Sequence, residues 1–276
     1  MKGRTARGAI LCGAAVKGEQ LAAAENIKLA AEAGIERLEP LVSGRRFPFN
    51  DVEAAGGAAA AMARWGVACR SVHLDFELDY DISSSDESIR RSTVDDMKRA
   101  LAAGRALGAD IAVLHGSDEA VAAHTRARRI EILKSSLAEL CSAARASGIR
   151  LALELLPRDC LANTTREALF ITGGLPEETI GFCFDVNHVN LREDPPLAVE
   201  ALSGRIFTFH ISDNDGVEER HWFPFEGVID WAAFMAAVRR IGYAGQFIFE
   251  TGGSLGGDAA EYLREVRARF DRLIAL

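Results

Sequence analysis

Basic residues are in the minority in this chain, which has 32 Lys and Arg residues against 40 Asp and Glu residues. The formal net charge of -8 argues against a surface that holds a polyanion, because nucleic-acid-binding proteins usually carry a basic patch. A local groove can oppose the overall charge, so the composition disfavours a nucleic-acid partner without excluding one.

Paired cysteines and long apolar runs are also missing. The five cysteines are widely spaced and form no Cys-x-x-Cys pair, a pattern typical of reduced thiols in a cytoplasmic protein. The apolar run near the N-terminus is short and is interrupted by Gly13, Lys17 and Gly18, so we predict neither a signal peptide nor a membrane span. Because no strand candidate is followed by a GxGxxG or P-loop sequence, a doubly wound nucleotide-binding fold is disfavoured.

Short apolar runs alternate with longer amphipathic segments along the chain. The alternation gives eight strand candidates, each followed by a helical segment, and a chain of 276 residues can bury the core of one such domain. We therefore predict an α/β fold, a single (β/α)8 TIM barrel over residues 1–276. The predicted strands are residues 9–12, 35–39, 67–73, 111–115, 150–155, 180–185, 206–211 and 246–250. The predicted helices are residues 19–33, 51–65, 84–107, 125–147, 165–172, 197–202, 230–241 and 258–276.

The seventh predicted strand leads into a loop with metal-binding side chains. Phe207 and Phe209 alternate with the other residues of the strand, so His210 is expected on the face opposite to the phenylalanines. In the loop, Glu219 and His221 are two residues apart, which places both side chains on one side of an extended segment. Imidazoles and carboxylates this close suit a divalent cation, although a solvated charged loop with incidental histidines explains the same residues.

Each of the last six predicted strands has an ionisable residue at or near its carboxyl end. Active sites of TIM barrels lie at the carboxyl ends of the strands, so these side chains are expected to converge. Three of them are carboxylates, which repel one another in a partly desolvated space unless a cation compensates them. We therefore predict a metal site, with a purely structural ion-pair network as the alternative. The six residues are His73, His115, Glu154, Asp185, His210 and Glu250.

Four segments resemble strands five to eight of the xylose isomerase-like TIM barrels, which include sugar isomerases, sugar epimerases and the endonuclease IV type of abasic-site nuclease (AP endonuclease family 2). The segments are LALELLP, GFCFDVNHV, FTFHISDNDG and GQFIFETGG. His210, Asp213 and Asn214 resemble the HxxDN motif of this superfamily, and residues 224–231 resemble its PGEGxIDW motif with Phe225 in place of the usual Gly. The resemblance spans essentially the whole chain.

The resemblance implies that one divalent metal ion, Mn, Mg, Co or Zn, binds to Glu154, Asp185, His210 and Glu250. Such an ion can bind adjacent oxygens of a hydroxy-ketone and stabilise the enediolate that forms when the carbon between them loses a proton. The resemblance assigns proton removal and return to Glu154 and Glu250, and the orientation of a substrate oxygen to His188.

The nuclease branch has further metal ligands, and this chain matches their positions, with Glu219 in place of the usual Asp. These additional candidate ligands are His73, His115, His188, Glu219 and His221. The candidate substrate-binding residues are His73, His115, His188, Arg220 and Trp222. Arg220 is the candidate for an arginine that the epimerase branch has after the strand-seven histidine. Loop aromatics are further candidates to cover a sugar ring, namely Phe47, Phe49, Trp222 and Phe223.

Together these features predict a divalent-metal-dependent isomerase or epimerase of a small ketose, keto-sugar or keto-acid. The alternatives are a metal-dependent dehydratase or lyase that acts on a related keto-polyol, an endonuclease IV-like phosphodiesterase that acts on abasic DNA, and a non-catalytic sugar-binding barrel. The expected partner is a small carbohydrate-like molecule. The Ala-rich segment AAGGAAAAMARW is compatible with packing against a second subunit in a homo-oligomer and equally with an ordinary barrel helix.

Overall fold

A computed structural model of the protein describes residues 9–22, 24–45, 51–76, 79–252 and 258–276. In these residues, eight parallel strands pair in sequence order and close into a barrel, with the first strand beside the last. The predicted (β/α)8 TIM barrel is confirmed. The strands are β1 (Leu11–Val16), β2 (Arg37–Val42), β3 (Ser71–Leu74), β4 (Ile111–Leu114), β5 (Arg150–Glu154), β6 (Ile180–Asp185), β7 (Ile206–Ile211) and β8 (Gln246–Phe249).

Helices connect the strands and pack against their neighbours along the chain. The helices are α1 (Ala24–Glu32), α2 (Val52–Trp65), α3 (Glu87–Leu107), α4 (Ala123–Ser147), α5 (Thr165–Thr172), α6 (Val186–Asn190), α7 (Pro195–Ala201), α8 (Trp231–Arg240) and α9 (Ala259–Ala275), with a 3-10 helix at Gly18–Ala22. Contacts join α2 to α3, α3 to α4 and α7 to α8. Within the part of the chain that the structure describes, no helix has the length and apolar character needed to cross a membrane.

Capping residues set several helix ends. The carboxylate of Asp86 accepts hydrogen bonds from the backbone N–H groups of Ser88 and Ile89 in α3, and the hydroxyl of Thr164 accepts one from the N–H of Glu167 in α5. Gly108 ends α3 with φ at 97°, a left-handed conformation that glycine adopts without strain. The predicted ranges 165–172, 180–185 and 206–211 coincide with α5, β6 and β7.

Several predicted boundaries differ from the structure, and the second strand, expected at 35–39, is Arg37–Val42. The first strand was expected at 9–12 but is Leu11–Val16, and the predicted helix 19–33 is split into a 3-10 helix and α1. The third strand begins at Ser71 because the preceding extended residues form only an isolated bridge, between Ala68 and Arg37. The short helix α6 was not predicted, since it is a five-residue segment that begins only because Asp185 caps it.

The register of β7 corrects one expectation about its side chains. The pairing between β6 and β7 shifts between Phe182 and Cys183, an irregularity that adds a residue to β7. As a result, Phe207 packs with a small cluster that includes Cys183, while Phe209 packs with the larger core. In a regular strand the two phenylalanines would lie on the same face, but here they lie in different environments.

Candidate metal centre

The barrel brings Glu154, Asp185, His210 and Glu250 together at the rim formed by the carboxyl ends of β5 to β8. We call these four residues the quartet. One potential ligand atom from each lies within 4.8 Å of the others. Ligand distances of about 2.0–2.6 Å allow a single divalent cation to bridge such a spacing. The quartet therefore has the dimensions of a mononuclear site.

The quartet is almost completely enclosed. Asp185 and His210 are 0% exposed and Glu154 is 1% exposed, whereas 29% of the Glu250 side chain is exposed. Burial raises the pKa of Asp185 to about 6, although the charge of His188 opposes this shift. Burial also favours a higher pKa for Glu250, but the charge of His210 outweighs it and lowers the pKa of that carboxyl to about 2. The site therefore brings carboxylate and imidazole groups together in a space with little water.

Three buried polar atoms of the quartet have no hydrogen bond within the described part of the chain, as expected for atoms that bind a cation. Asp185 Oδ2, His210 Nδ1 and Glu250 Oε2 are buried and have no hydrogen-bond partner among the described residues. His210 Nδ1 and Glu250 Oε2 are 2.9 Å apart, yet the contact lacks hydrogen-bond geometry. Buried acceptors that face one another are costly unless a positive charge lies between them. The donor set, three carboxylates and one imidazole, fits a divalent metal ion.

Two histidines surround the inner side of Glu154. His73 Nε2 lies 3.0 Å from Glu154 Oε2, and His115 Nε2 lies 3.3 Å from the same oxygen. His73 Nδ1 donates to the carbonyl of Leu74 at 2.8 Å, so Nε2 is the ring atom that faces the site. Phe76 stacks on His115 with ring centroids 4.4 Å apart. The structure thus places His73 and His115 beside the quartet.

His188, Glu219 and His221 form a second group, which we call the outer cluster. Their potential ligand atoms also lie within 4.8 Å of one another. Glu219 Oε1 is 2.9 Å from His221 Nε2 and 3.4 Å from His188 Nε2. Burial opposes a charge on His221, but the hydrogen bond with Glu219 raises its pKa to about 9. His188 Nδ1 is also 3.3 Å from Glu154 Oε1, so His188 joins the outer cluster to the quartet.

Arg220 and Trp222 lie farther along the same loop. The guanidinium of Arg220 pairs with Asp215 at 2.9 Å and Glu218 at 2.8 Å, and it lies over the Trp222 ring at 5.8 Å. Trp222 is 38% exposed. These contacts keep Arg220 within its loop, and none of its described contacts is with the quartet.

The other loop aromatics have different positions. Phe223 packs against Tyr262 and lies under Arg269, so its ring is part of the packing between the loop and α9. Phe47 and Phe49 lie outside the described residues.

The loop after β7 is held by Asp213 and Asn214, the last two positions of the HxxDN motif. The Asp213 carboxylate accepts hydrogen bonds from the indole Nε1 of Trp231 at 2.8 Å and the backbone N–H of Phe225 at 3.0 Å. A Cβ atom on Gly227 would lie 2.1 Å from the Asn214 carbonyl oxygen, so only glycine fits there. The motif therefore shapes the loop that carries Glu219 and His221.

A cavity of about 260 Å³ opens beside the quartet. Glu250 and His73 form one part of its wall, and it extends towards the loop after β1. Its lining includes Val16, Lys17, Leu41, His73, Phe76 and Glu250. The cavity combines apolar walls with a few polar groups, as small-molecule sites commonly do.

Sequence reasoning missed one residue of the site, Glu39 on β2. It is 1% exposed, lines the cavity and accepts a hydrogen bond from His210 Nε2 at 2.7 Å. Its signal was available, because the second predicted strand also ended in a carboxylate, at residue 39. The interior contact with His210 was not visible from the sequence.

A family model described as xylose isomerase-like TIM barrel matches residues 27–273 of the chain. The chain is 29% identical over 204 residues to L-ribulose 3-epimerase of Mesorhizobium japonicum, covering 71% of this chain and 66% of that protein. It is 26% identical over 233 residues to ketose 3-epimerase of Arthrobacter globiformis, covering 82% of this chain and 76% of that protein. The chain thus spans just under two thirds of the length of the Mesorhizobium relative.

Solved structures share the fold. The structure of D-psicose 3-epimerase with D-tagatose from Clostridium cellulolyticum H10 superposes with a TM-score of 0.78 over 96% of this chain and 99% of that chain, at 20% identity. At this identity the similarity demonstrates the common barrel.

Proposed function

Since the chain belongs to the xylose isomerase-like TIM barrel family, we propose that it is a divalent-metal-dependent epimerase or isomerase of a small ketose, keto-sugar or keto-acid. The observation that carries the proposal is that Glu250, a member of the quartet, also lines the cavity of about 260 Å³. A molecule in that cavity would lie next to the ligand atoms. Relatives that are named as ketose 3-epimerases support this substrate class.

Glu154, Asp185, His210 and Glu250 would hold the cation. Bound there, a divalent ion supplies positive charge that stabilises the negative oxygens of an enediolate. The proposal leaves the identity of the ion among Mn, Mg, Co and Zn open, because carboxylate and imidazole ligands suit all four.

Proton transfer is assigned to two carboxylates. Glu250 borders the cavity, and its Oε2 faces His210 Nδ1 at 2.9 Å, so Glu250 would bind the cation through Oε2 and take a proton from a bound substrate with its other carboxylate oxygen. Glu154 is the second base, and its two oxygens contact His73 and His188, respectively. Protonated histidines at these contacts would return a proton through the same carboxylate. His188 would also orient a substrate oxygen.

The test is exchange of a substrate C–H with heavy water, screened over a panel of ketoses in the presence of Mn²⁺. We expect exchange and epimerisation of at least one ketose by the wild-type protein. Glu154→Gln and Glu250→Gln should each reduce turnover by at least about 1,000-fold, since each removes a proposed base, while circular dichroism shows a retained fold. Glu87→Gln, an exposed carboxylate on α3, is the control. Wild-type-like turnover in either site variant would contradict the assignment.

A second candidate function is phosphodiester hydrolysis at abasic sites in DNA. The observation in its favour is that His73 and His115 near Glu154, and the outer cluster, form two further groups that could hold cations. Two or three cations can activate water and stabilise a leaving oxygen. The net charge of -8 weighs against it. Incision of an oligonucleotide with one abasic site would favour this function over epimerisation.

We also propose that the protein is cytoplasmic. All five cysteines are buried free thiols, which is the state expected in a reducing compartment. Labelling of a tagged protein in intact and fractionated cells tests this location.

A further inference from the structure

Glu39 reaches His210 of the quartet from inside the barrel. Its Oε1 accepts a hydrogen bond from His210 Nε2 at 2.7 Å, across 171 residues of sequence. Both side chains are 0% exposed. A buried carboxylate that pairs with a histidine in this way is held firmly, because neither group has water as an alternative partner.

Further hydrogen bonds hold Glu39 itself in place. Its Oε2 accepts a hydrogen bond from the hydroxyl of Ser71, at the start of β3. The Ser71 hydroxyl in turn accepts from Gln246 Nε2, and the same nitrogen contacts Thr208 Oγ1 at 3.2 Å. The network thus connects β2, β3, β7 and β8 through the barrel interior. Glu39 therefore has one well-defined orientation towards His210.

The orientation decides which ring nitrogen of His210 can bind a cation. A carboxylate accepts, so Nε2 must carry the hydrogen, and in the neutral imidazole that binds a cation Nδ1 keeps the lone pair. Nδ1 lies 2.9 Å from Glu250 Oε2, 3.6 Å from Glu154 Oε1 and 3.8 Å from Asp185 Oδ2. Nδ1 is therefore the atom that faces the other three ligands.

We propose that Glu39 is a positioning residue, which fixes His210 as the Nε2–H tautomer and so presents Nδ1 to the divalent cation. The inference rests on the proposed metal site. The negative charge of Glu39 also increases the electron-donating strength of the imidazole, as carboxylates behind metal-bound histidines do. The competing explanation is that the pair only ties β2 to β7, in which case it contributes to stability and not to metal binding.

Zinc affinity separates these explanations without any sugar. In calorimetric titrations with Zn²⁺, we expect Glu39→Gln to weaken binding about 10-fold, because the amide oxygen still accepts from Nε2 but the charge is lost. Glu39→Leu should weaken it about 100-fold, because both the acceptor and the charge are lost. Zinc affinity of Glu39→Leu equal to that of the wild type would overturn the proposal.

Asp96→Asn is the matched control. Asp96 is also a fully buried carboxylate that accepts hydrogen bonds, from Ser43 and from the backbone of Gly44, but it is outside the site. We expect this substitution to destabilise the fold and to leave zinc affinity within about twofold of the wild type, since the hydrogen bonds of Asp96 are with Ser43 and Gly44 and not with the quartet.

If Glu39→Leu does not fold, Ser71→Ala removes a hydrogen bond to Glu39 with a milder substitution and should weaken zinc binding. Ser136→Ala, which removes a buried serine hydroxyl that bonds to Ile82, should not.

The tautomer can be observed directly. In zinc-loaded protein with ¹⁵N-labelled histidine, the NMR signals of His210 should show hydrogen on Nε2 and zinc on Nδ1, and Glu39→Gln should keep this pattern. Zinc on Nε2 in the wild type would overturn the proposal. A wild type that binds no Zn²⁺, Mn²⁺, Mg²⁺ or Co²⁺ would remove the metal-dependent function as well, whereas equal zinc affinity in the wild type and Glu39→Leu removes only the role of Glu39.

Discussion

Carboxylates are crowded at the mouth of the barrel beyond the quartet as well. Asp118, in the loop between β4 and α4, is partly exposed. Burial raises the pKa of this carboxyl to about 6, and the charges of Asp81, Glu119, Asp79 and Asp75 act in the same direction. Repulsion of this kind has a measurable effect on stability, because the unfolded chain does not experience it.

We predict that Asp118→Asn stabilises the protein at pH 7.5 and not at pH 4. An unfolded aspartate has a pKa near 3.9, so the native state binds this proton more tightly. The contribution of protonated Asp118 to the free energy of unfolding is present below about pH 4 and is lost as pH rises through about 6. Removing the charge should recover about 1 kcal/mol at pH 7.5, after allowance for solvent screening. Urea unfolding at both pH values measures this gain, and an equal gain at pH 4 would contradict the explanation.

Single residues of the site differ in how far the sequence could predict them. Glu154 and Asp185 stand at the ends of strands that the apolar pattern located, so the barrel rule placed them near each other. The role of Glu39 depends on a hydrogen bond to a residue 171 positions away. Such a contact follows from the closed interior of the barrel and has no local pattern.

The loop between β7 and α8 contains a backbone conformation that few residues adopt. Phe225 has φ at 76°, in the left-handed region, where a side chain is strained and glycine is not. This position is the one at which the PGEG-like motif has Phe in place of the usual Gly. The Phe225 ring lies under the guanidinium of Arg272 at 3.7 Å, so packing offsets part of the strain.

We predict that Phe225→Gly is more stable than Phe225→Ala by about 1 kcal/mol. Both substitutions remove the ring and its contact with Arg272, so their difference isolates the backbone conformation. Alanine keeps the strain of a positive φ, and glycine relieves it. The free energy of unfolding in urea gives the comparison. If the free energy of unfolding of Phe225→Ala equals or exceeds that of Phe225→Gly, the loop does not impose this conformation in solution.

Elements with strong local signals were predicted well, and those set by tertiary contacts were not. The sequence pattern located α3 and α5, and the structure shows a capping side chain at the start of each. The irregularity in β7, which separates Phe207 from Phe209, comes from pairing with β6 and leaves no trace in the strand's own pattern. Whether the outer face of α2 packs against a second subunit stays a prediction.

At the scale of the whole molecule, the quartet joins four strands that are consecutive around the barrel. Glu154, Asp185, His210 and Glu250 come from the ends of β5 to β8, so repulsion among the carboxylates opposes closure of this half of the rim. A cation that binds only the folded barrel would favour closure through mass action. Metal binding and fold stability are therefore expected to be linked.

We predict that removal of divalent metal lowers the melting temperature by about 5–10 °C. A metal at 100 times its dissociation constant stabilises the native state by about 2.7 kcal/mol, and a domain of this size shifts by about 2–4 °C per kcal/mol. Calorimetry before and after dialysis against a chelator measures the change. Asp185→Asn, which removes one charged ligand, should show a smaller shift. Equal melting temperatures with and without chelator would argue against a resident cation.

The number of bound ions then distinguishes the two candidate functions, because the outer cluster adds ligands that a mononuclear site does not use. The epimerase proposal predicts about one tightly held ion per chain by elemental analysis, as expected of one four-ligand site. His221→Ala should leave that number unchanged, since His221 lies outside the quartet and within the outer cluster. Two or three ions in the wild type, falling on His221→Ala substitution, would instead indicate a polynuclear centre and favour the phosphodiesterase.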